Sequence, residues 1–290
     1  MYDGTKACTL RDYWNHAASV IDCAGVSDSR SEAAYLICAV MKWDYGGFFA
    51  RLDDCLDEGD IANIDDWLNR RAKREPLCRM KGWKYFWKHR FYMCSETLSP
   101  RPDSEVIIEE ALQIFDRDSE IRILDLGTGS GCLLLSLLHE FPNAKGIGVD
   151  ISENTIDIAR KNAKNILDDD RAAWLCADWR DREFNRRILD AYDDRFDCII
   201  SNPPYIPSKN LQALEPEVLF DPVISLDGGG DGCDAYRDII PKVRELMSQD
   251  GVFLLELGDV DVVGEILHAG CFSYRVAYDL GSIPRCIIAR

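Results

Sequence analysis

Asn202-Pro203-Pro204-Tyr205 is a tetrapeptide suited to holding a planar amine or amide. Neither proline has an N–H, so the segment offers carbonyl acceptors without competing donors, and the Asn202 side-chain oxygen adds another. Two such acceptors can take both hydrogens of an –NH2 group and aim its nitrogen outward, while Tyr205 can cover the flat face. The candidate catalytic residues are therefore Asn202, Pro203 and Tyr205, and the candidate substrate contacts are Asn202, Pro203, Pro204 and Tyr205. An amide nitrogen is a poor nucleophile because its lone pair is shared with the carbonyl; polarising both N–H bonds raises the density on it. In-line positioning supplies the rest, worth about 7–11 kcal/mol. The proton leaves afterwards, so the chemistry requires no dedicated base. A proline-rich turn is the purely structural reading of the same residues.

Asn202 lies 71 residues after the end of a second motif, Asp125-Leu126-Gly127-Thr128-Gly129-Ser130-Gly131. Glycines let a backbone approach a ligand and take positive φ, and a helix beginning after them presents free N–H groups. The spacing is G-x-G-x-G. A dinucleotide fingerprint would place its third glycine at position 132, which is Cys132, so a pyrophosphate is disfavoured. Asp125 suits a cationic ligand better than a phosphate. Asp150, 23 residues after Gly127, is placed to accept from ribose hydroxyls. Asp178 can accept from an adenine amine, and the Trp179 indole can lie against the ring. Asp125, Gly127, Thr128, Gly129, Ser130, Gly131, Asp150, Asp178, Trp179 and Asn202 make up the candidate cofactor set. Together the two motifs point to methyl transfer from S-adenosylmethionine to a nitrogen.

The elements that must position these residues are readable from periodicity. Residues 1–75 read as short helices: Thr9 caps one running toward Asp22, Ser29 with Glu32 forms a capping box for a second, and Asp60 caps another that ends before Pro76. Across residues 81–94, Trp83, Tyr85 and Trp87 alternate with Lys84 and Lys88, and Phe91 and Met93 repeat the alternation, which predicts a β-hairpin with its aromatic face packed and its lysines outside. Basic residues among aromatics also suit a nucleic-acid surface. From residue 103 onward β and α alternate. A helix capped by Asp103 or Ser104 leads to strands near 121–126, 145–149, 173–176, 196–201 and 251–257, with helices at 132–140, 153–166, 234–248 and 260–269. Two final strands lie near 273–278 and 285–289. The alternation predicts a doubly wound, mostly parallel Rossmann-like sheet with an antiparallel edge. The expected domains are a helical one at 1–80, a hairpin linker at 81–97 and a catalytic one at 98–290. The connection of 28 residues from Ile206 to Cys233 is long enough to be a lid or binding loop.

Composition narrows the choices. The chain of 290 residues carries a net charge of −17, which opposes gripping phosphates. One segment, 70–101, holds ten basic and two acidic residues, leaving 24 basic against 49 acidic elsewhere. The longest apolar run, 132–138, is far below the ~20 residues of a membrane span, and Met1 to Lys6 lacks the pattern of a leader. Twelve scattered cysteines and four histidines show no zinc spacing, and buried reduced thiols in a cytoplasmic protein are expected. Asp227, Asp231 and Asp234 miss the calcium-loop spacing, so no metal is expected.

The ordered motifs resemble the release factor glutamine methyltransferases (PrmC/HemK). The matching stretches are 98–105, 125–133, 202–206, 215–218, 226–236 and 253–258, and the helical region and hairpin linker extend the resemblance over nearly the whole chain. It implies transfer of a methyl group from S-adenosylmethionine to the N5 amide of the glutamine in the Gly-Gly-Gln motif of peptide chain release factors. It also implies that the helical domain helps to dock that protein, and a monomer is expected. Ser99 stands where the family usually has an aliphatic residue, and Asp103-Ser104 replaces a common Glu-Thr. The alternatives are a ribosomal-protein glutamine, which Arg101-Pro102 disfavours, and a nucleic-acid exocyclic amine, which the acidic balance disfavours. A non-enzymatic cofactor-holding protein would be expected to lack the glycine turn or Asn202.

Overall fold

A computed structural model describes residues 8–192 and 194–290; the segment read for a leader lies outside them. The chain divides into two units, one ending at Lys81 and one spanning Gly82–Arg290.

The first unit is helical. Helix α1 (Leu10–Cys23) is capped by Thr9, whose hydroxyl accepts from the Asp12 N–H at 3.2 Å. Helix α2 (Ser29–Met41) begins without a side-chain cap bond, and the capping box expected there does not form. Glu32 is instead paired with the buried Arg71 at 2.9 Å. Helix α3 (Tyr45–Ala50) is followed by α4 (Glu58–Ala72), where Asp57 and not Asp60 is the cap: its carboxylate accepts from the Asp60 N–H at 2.7 Å. A short helix α5 (Leu77–Lys81), not foreseen from the sequence, follows Pro76. Leu10, Tyr13, Ala17 and Ile21 of α1 pack with Ile37 of α2 and Ile64 and Leu68 of α4.

The second unit opens with antiparallel strands β1 (Trp83–Phe86) and β2 (His89–Tyr92). The hairpin forms as expected, with Phe91 and Met93 packed inward, but the first strand is turned over: Phe86 is buried while Tyr85 is 67% exposed. Trp83 and Tyr92 pair across the strands and carry Arg90 over their rings. Lys88 stays on the outside as expected, and its ammonium lies 2.5 Å from the buried Glu140. The cap expected at Asp103 or Ser104 gives way to a 3-10 turn, Pro102–Ser104, that runs into α6 (Glu105–Ile114). Ser104 makes no cap bond because its hydroxyl is committed to Glu256.

Strand β3 (Arg122–Leu126), helix α7 (Cys132–Glu140), β4 (Lys145–Asp150), α8 (Glu153–Ile166) and β5 (Ala172–Cys176) follow. Helix α9 (Phe184–Tyr192), absent from the sequence reading, leads to β6 (Phe196–Ser201). After a long loop come α10 (Asp234–Leu246), β7 (Met247–Glu256), α11 (Val260–Ala269), β8 (Tyr274–Tyr278) and β9 (Pro284–Ala289). The sheet order is β5-β4-β3-β6-β7-β9-β8. Five parallel strands carry a two-strand antiparallel edge, and the last strand lies inside β8, paired with β7.

Alternation along the strands sorts the core onto two faces. Leu124 and Leu126 pack with Phe184 and Ile188 of α9, Tyr236 of α10 and Val263 of α11. Ile123 packs on the opposite face with Ile107 of α6, Leu134 of α7 and the hairpin's Phe86 and Phe91. The thiols follow only part of the expectation: Cys198 and Cys286 are in the core, while Cys23, Cys55 and Cys271 are exposed.

Strand β4 must stay thin at Gly148. A Cβ there would fall 2.5 Å from the Trp174 ring and 2.8 Å from the Thr128 hydroxyl. Both neighbours sit next to the glycine turn, so the substitution has no free direction to relax. Gly148→Ala is expected to lower unfolding free energy by about 1–3 kcal/mol, measured as a shift in the urea midpoint.

Candidate active site

The strand order reverses between β5 and β6, which brings β6 back beside β3. Ligands bind at such a reversal, outside the carboxyl ends of the strands. β3 and β6 are parallel neighbours with Leu126 opposite Ser201. The buried Ser201 hydroxyl donates to the Leu126 carbonyl at 2.7 Å. The residue before Gly127 is thus tied to the residue before Asn202, and the two motifs emerge side by side.

A cavity of about 500 Å³ opens there. Gly127, Thr128, Gly129 and Ser130 line it, as do Asp150, Asp178 and Trp179 from the neighbouring strand ends. Asn202 and Pro204 border the same cavity. Asp125, Gly131, Pro203 and Tyr205 are not in its wall. Tyr205 is turned against Gly258, where a Cβ would meet its ring at 3.0 Å, and its hydroxyl lies 3.4 Å from Glu256. It backs the acceptor loop and does not cover the cavity.

Gly127, Gly129 and Gly131 all have positive φ, at 76°, 57° and 79°. The Gly127 and Thr128 N–H groups donate to the Val149 carbonyl at 2.9 Å, fixing the turn against β4. Asn162 of α8, fully buried, donates to the Ser130 carbonyl at 2.8 Å and exchanges two hydrogen bonds with the Tyr92 backbone, which clamps the hairpin to the turn.

Asp125 lies buried beneath the glycines. Its Oδ2 accepts from the Thr128 hydroxyl at 2.7 Å, while its Oδ1 and the Ser130 Oγ are buried without a hydrogen-bond partner. Burial, opposed by the Thr128 bond, pushes the Asp125 carboxyl up to about 7. A cation seated on the turn would relieve that cost, so the site fits a sulfonium and ammonium ligand. Asp150 accepts from the Gly129 N–H at 3.0 Å and the Ser152 N–H at 3.1 Å, and burial raises its carboxyl as well. The Asp178 carboxylate is held by Arg180 at 2.7 Å, which lowers its carboxyl below the usual range.

A PrmC N-terminal domain family matches residues 12–82, and a methyltransferase domain family matches residues 117–283. A protein of Caulobacter vibrioides named release factor glutamine methyltransferase is 40% identical over 80% of this chain and 79% of its own length. Proteins of the same name from Rhodospirillum rubrum and Geobacter sulfurreducens are 38% and 35% identical. They cover 92% and 100% of this chain, and 80% and 99% of their own lengths. The chain belongs to the release factor glutamine methyltransferase family. It is an S-adenosylmethionine-dependent methyltransferase.

The structure of this methyltransferase also brings in residues that the sequence reading passed over. Ser104, read only as a helix cap, and Glu256 stand behind Asn202; the acid ending the apolar run 252–256 and the matching stretches 98–105 and 253–258 were the available signals. In the 206–233 loop, built from 3-10 turns at Ser208–Ala213, Val218–Phe220 and Val223–Ser225, the buried Asp221 accepts from the Ser99 hydroxyl at 2.8 Å and from Arg101 at 2.6 Å. Pro222, Ile224 and Ser225 place this loop in the cavity wall. Asp227 accepts through Oδ1 from Ser208 and the Gly229 N–H, and Asp231 is held by Arg237 and the Cys233 N–H.

The raised Asp125 carboxyl sets a pH dependence. It is neutral below about 7 and anionic above it, so a cationic cofactor gains its partner only on the alkaline side. S-adenosylmethionine affinity measured by calorimetry is expected to tighten several-fold from pH 6 to pH 8, by at most about tenfold per pH unit for one linked proton. In Asp125→Asn most of that trend should vanish, with binding at pH 8 weaker by about tenfold.

Proposed function

We propose that this methyltransferase acts on the side-chain amide nitrogen (N5) of the glutamine in the Gly-Gly-Gln motif of peptide chain release factors. The observation that carries the reading is the juxtaposition of the two turns: Asn202 and Pro204 border the cavity that Gly127 to Ser130 line, on adjacent strands. The names of the relatives supply the acceptor class.

In this reading Asp125 and the turn at 127–131 would hold the cofactor's methionine end, Asp150 would accept from its ribose hydroxyls, and Asp178 and Trp179 would hold its adenine. When bound, S-adenosylmethionine supplies an electrophilic methyl group on sulfur. The Asn202 Oδ1 and a backbone carbonyl of the 202–204 turn accept the two hydrogens of the substrate amide, and Pro204 borders its approach. Tyr205 supports the loop from behind. The proton is lost to water after transfer. The reading carries with it a monomeric, cytoplasmic enzyme; among the described residues no helix is long and apolar enough to cross a membrane.

The test is labelled methyl transfer to a purified release factor beside a variant of it with Gln→Ala in the Gly-Gly-Gln motif. Label in the native factor alone is expected. Label in both, or only in a ribosomal protein or RNA, would replace the assigned acceptor. Asn202→Ala is expected to reduce turnover by at least about 100-fold while cofactor affinity, followed by calorimetry, weakens only a few-fold; unaltered turnover would remove the acceptor site from Asn202.

A further inference from the structure

Asn202 meets an orientation problem. The two ends of a primary amide are nearly equal in size, yet only its oxygen can receive a substrate –NH2 hydrogen. Something must keep the side chain from turning over. The Asn202 Nδ2 donates to the Ser104 Oγ at 3.0 Å, and the Ser104 hydroxyl donates to Glu256 Oε2 at 2.5 Å. A serine hydroxyl has a single proton. While a carboxylate that can only accept takes that proton, Ser104 meets Asn202 solely as an acceptor, and only the amide nitrogen can pair with it.

We propose that Ser104 and Glu256 are positioning residues for the acceptor amide, the Glu256 carboxylate acting through the Ser104 hydroxyl to hold the Asn202 oxygen toward the substrate. The inference rests on the acceptor site read above and adds to it the groups that set its polarity. The three residues come from remote places, the turn before α6, the loop after β6 and the end of β7. Ser104 is 3% exposed and Glu256 4%, so water does not compete for their bonds.

Burial holds the Glu256 carboxyl at about 7 against the Ser104 bond that favours its ionised form, and the nearby Asp103 raises it further. The other charged or titratable groups near it are Tyr205, Arg285, Tyr236, Cys132 and Cys286. Arg285 is itself paired with Asp103 and Asp279, at 2.9 and 2.8 Å. Protonation turns one Glu256 oxygen into a donor. Ser104 can then accept from Glu256 and donate to Asn202, which selects the wrong end of the amide. The relay therefore works above about pH 7 and fails below it.

Ser104→Thr and Ser104→Val are nearly identical in shape and differ by the hydroxyl, so comparing them separates the relay from packing. Both are assayed in the full-length enzyme against wild type, on whichever acceptor the wild type methylates. The threonine variant is expected to retain kcat within about threefold. The valine variant is expected to lose about 10–100-fold in kcat, with S-adenosylmethionine affinity within twofold of wild type. Glu256→Gln, which cannot ionise, should lose the acidic limb of the kcat profile between pH 6 and 8. Equal rates for the threonine and valine variants would overturn the relay, as would an unchanged acidic limb in Glu256→Gln. A wild type that leaves release factors unlabelled but methylates another amide would count against the proposed acceptor and leave this comparison valid.

Discussion

The parallel pairing of β3 with β6 is the constraint on which the site depends. Because the sheet order reverses between β5 and β6, two strands far apart in sequence become hydrogen-bonded neighbours. The loop after each strand leaves at the same edge. The Ser201 bond to the Leu126 carbonyl fixes their relative height. A slip of one residue would turn every side chain of β6 to the other face, exchange the buried Ile199 and Ile200 between the two cores, and carry Asn202 away from the glycine turn. Positioning chemistry of this kind needs no special reactive group, but it tolerates little displacement.

Two buried acids divide the electrostatic work. Asp125 sits under the cofactor turn with one oxygen unpartnered, and Glu256 sits under the acceptor loop with its oxygens directed to Ser104 and Tyr205. Burial pushes both carboxyls up to about 7. They differ in what would relieve that cost: a cationic ligand for Asp125, and a fixed hydrogen-bond chain for Glu256. Strained or costly features of this sort gather where a site is preorganised. Around them the frame is tied down by polar contacts that reach across the sequence, Asn162 between hairpin and turn and Asp221 between the long loop and residues 99–101.

Local patterns in the sequence were enough to find the glycine turn, the Asn-Pro-Pro-Tyr loop, the acids at strand ends and the alternation that makes the sheet. What escaped was set by tertiary competition. The capping box at Ser29 and Glu32 is a valid local signal, but Arg71 takes the glutamate. Both faces of the hairpin carry aromatics, so alternation alone could not say that Phe86 goes inside and Tyr85 outside. Helix α9 is an exception: it does carry an apolar stripe of Phe184, Ile188, Leu189 and Tyr192 at helical spacing, a local signal that the sequence reading passed over. Ser104 reads as a helix cap because its partner is 152 residues away. Strand order, which brings the two turns together, has no local signature at all.

The most direct test is a crystal structure of the enzyme with S-adenosylhomocysteine and a peptide carrying Gly-Gly-Gln. The account predicts the cofactor sulfur over the turn at 127–131. It predicts the glutamine Nε2 facing that sulfur, its hydrogens within bonding distance of the Asn202 Oδ1 and a backbone carbonyl of the 202–204 turn. A glutamine bound elsewhere, or an Asn202 that meets it through Nδ2, would contradict it.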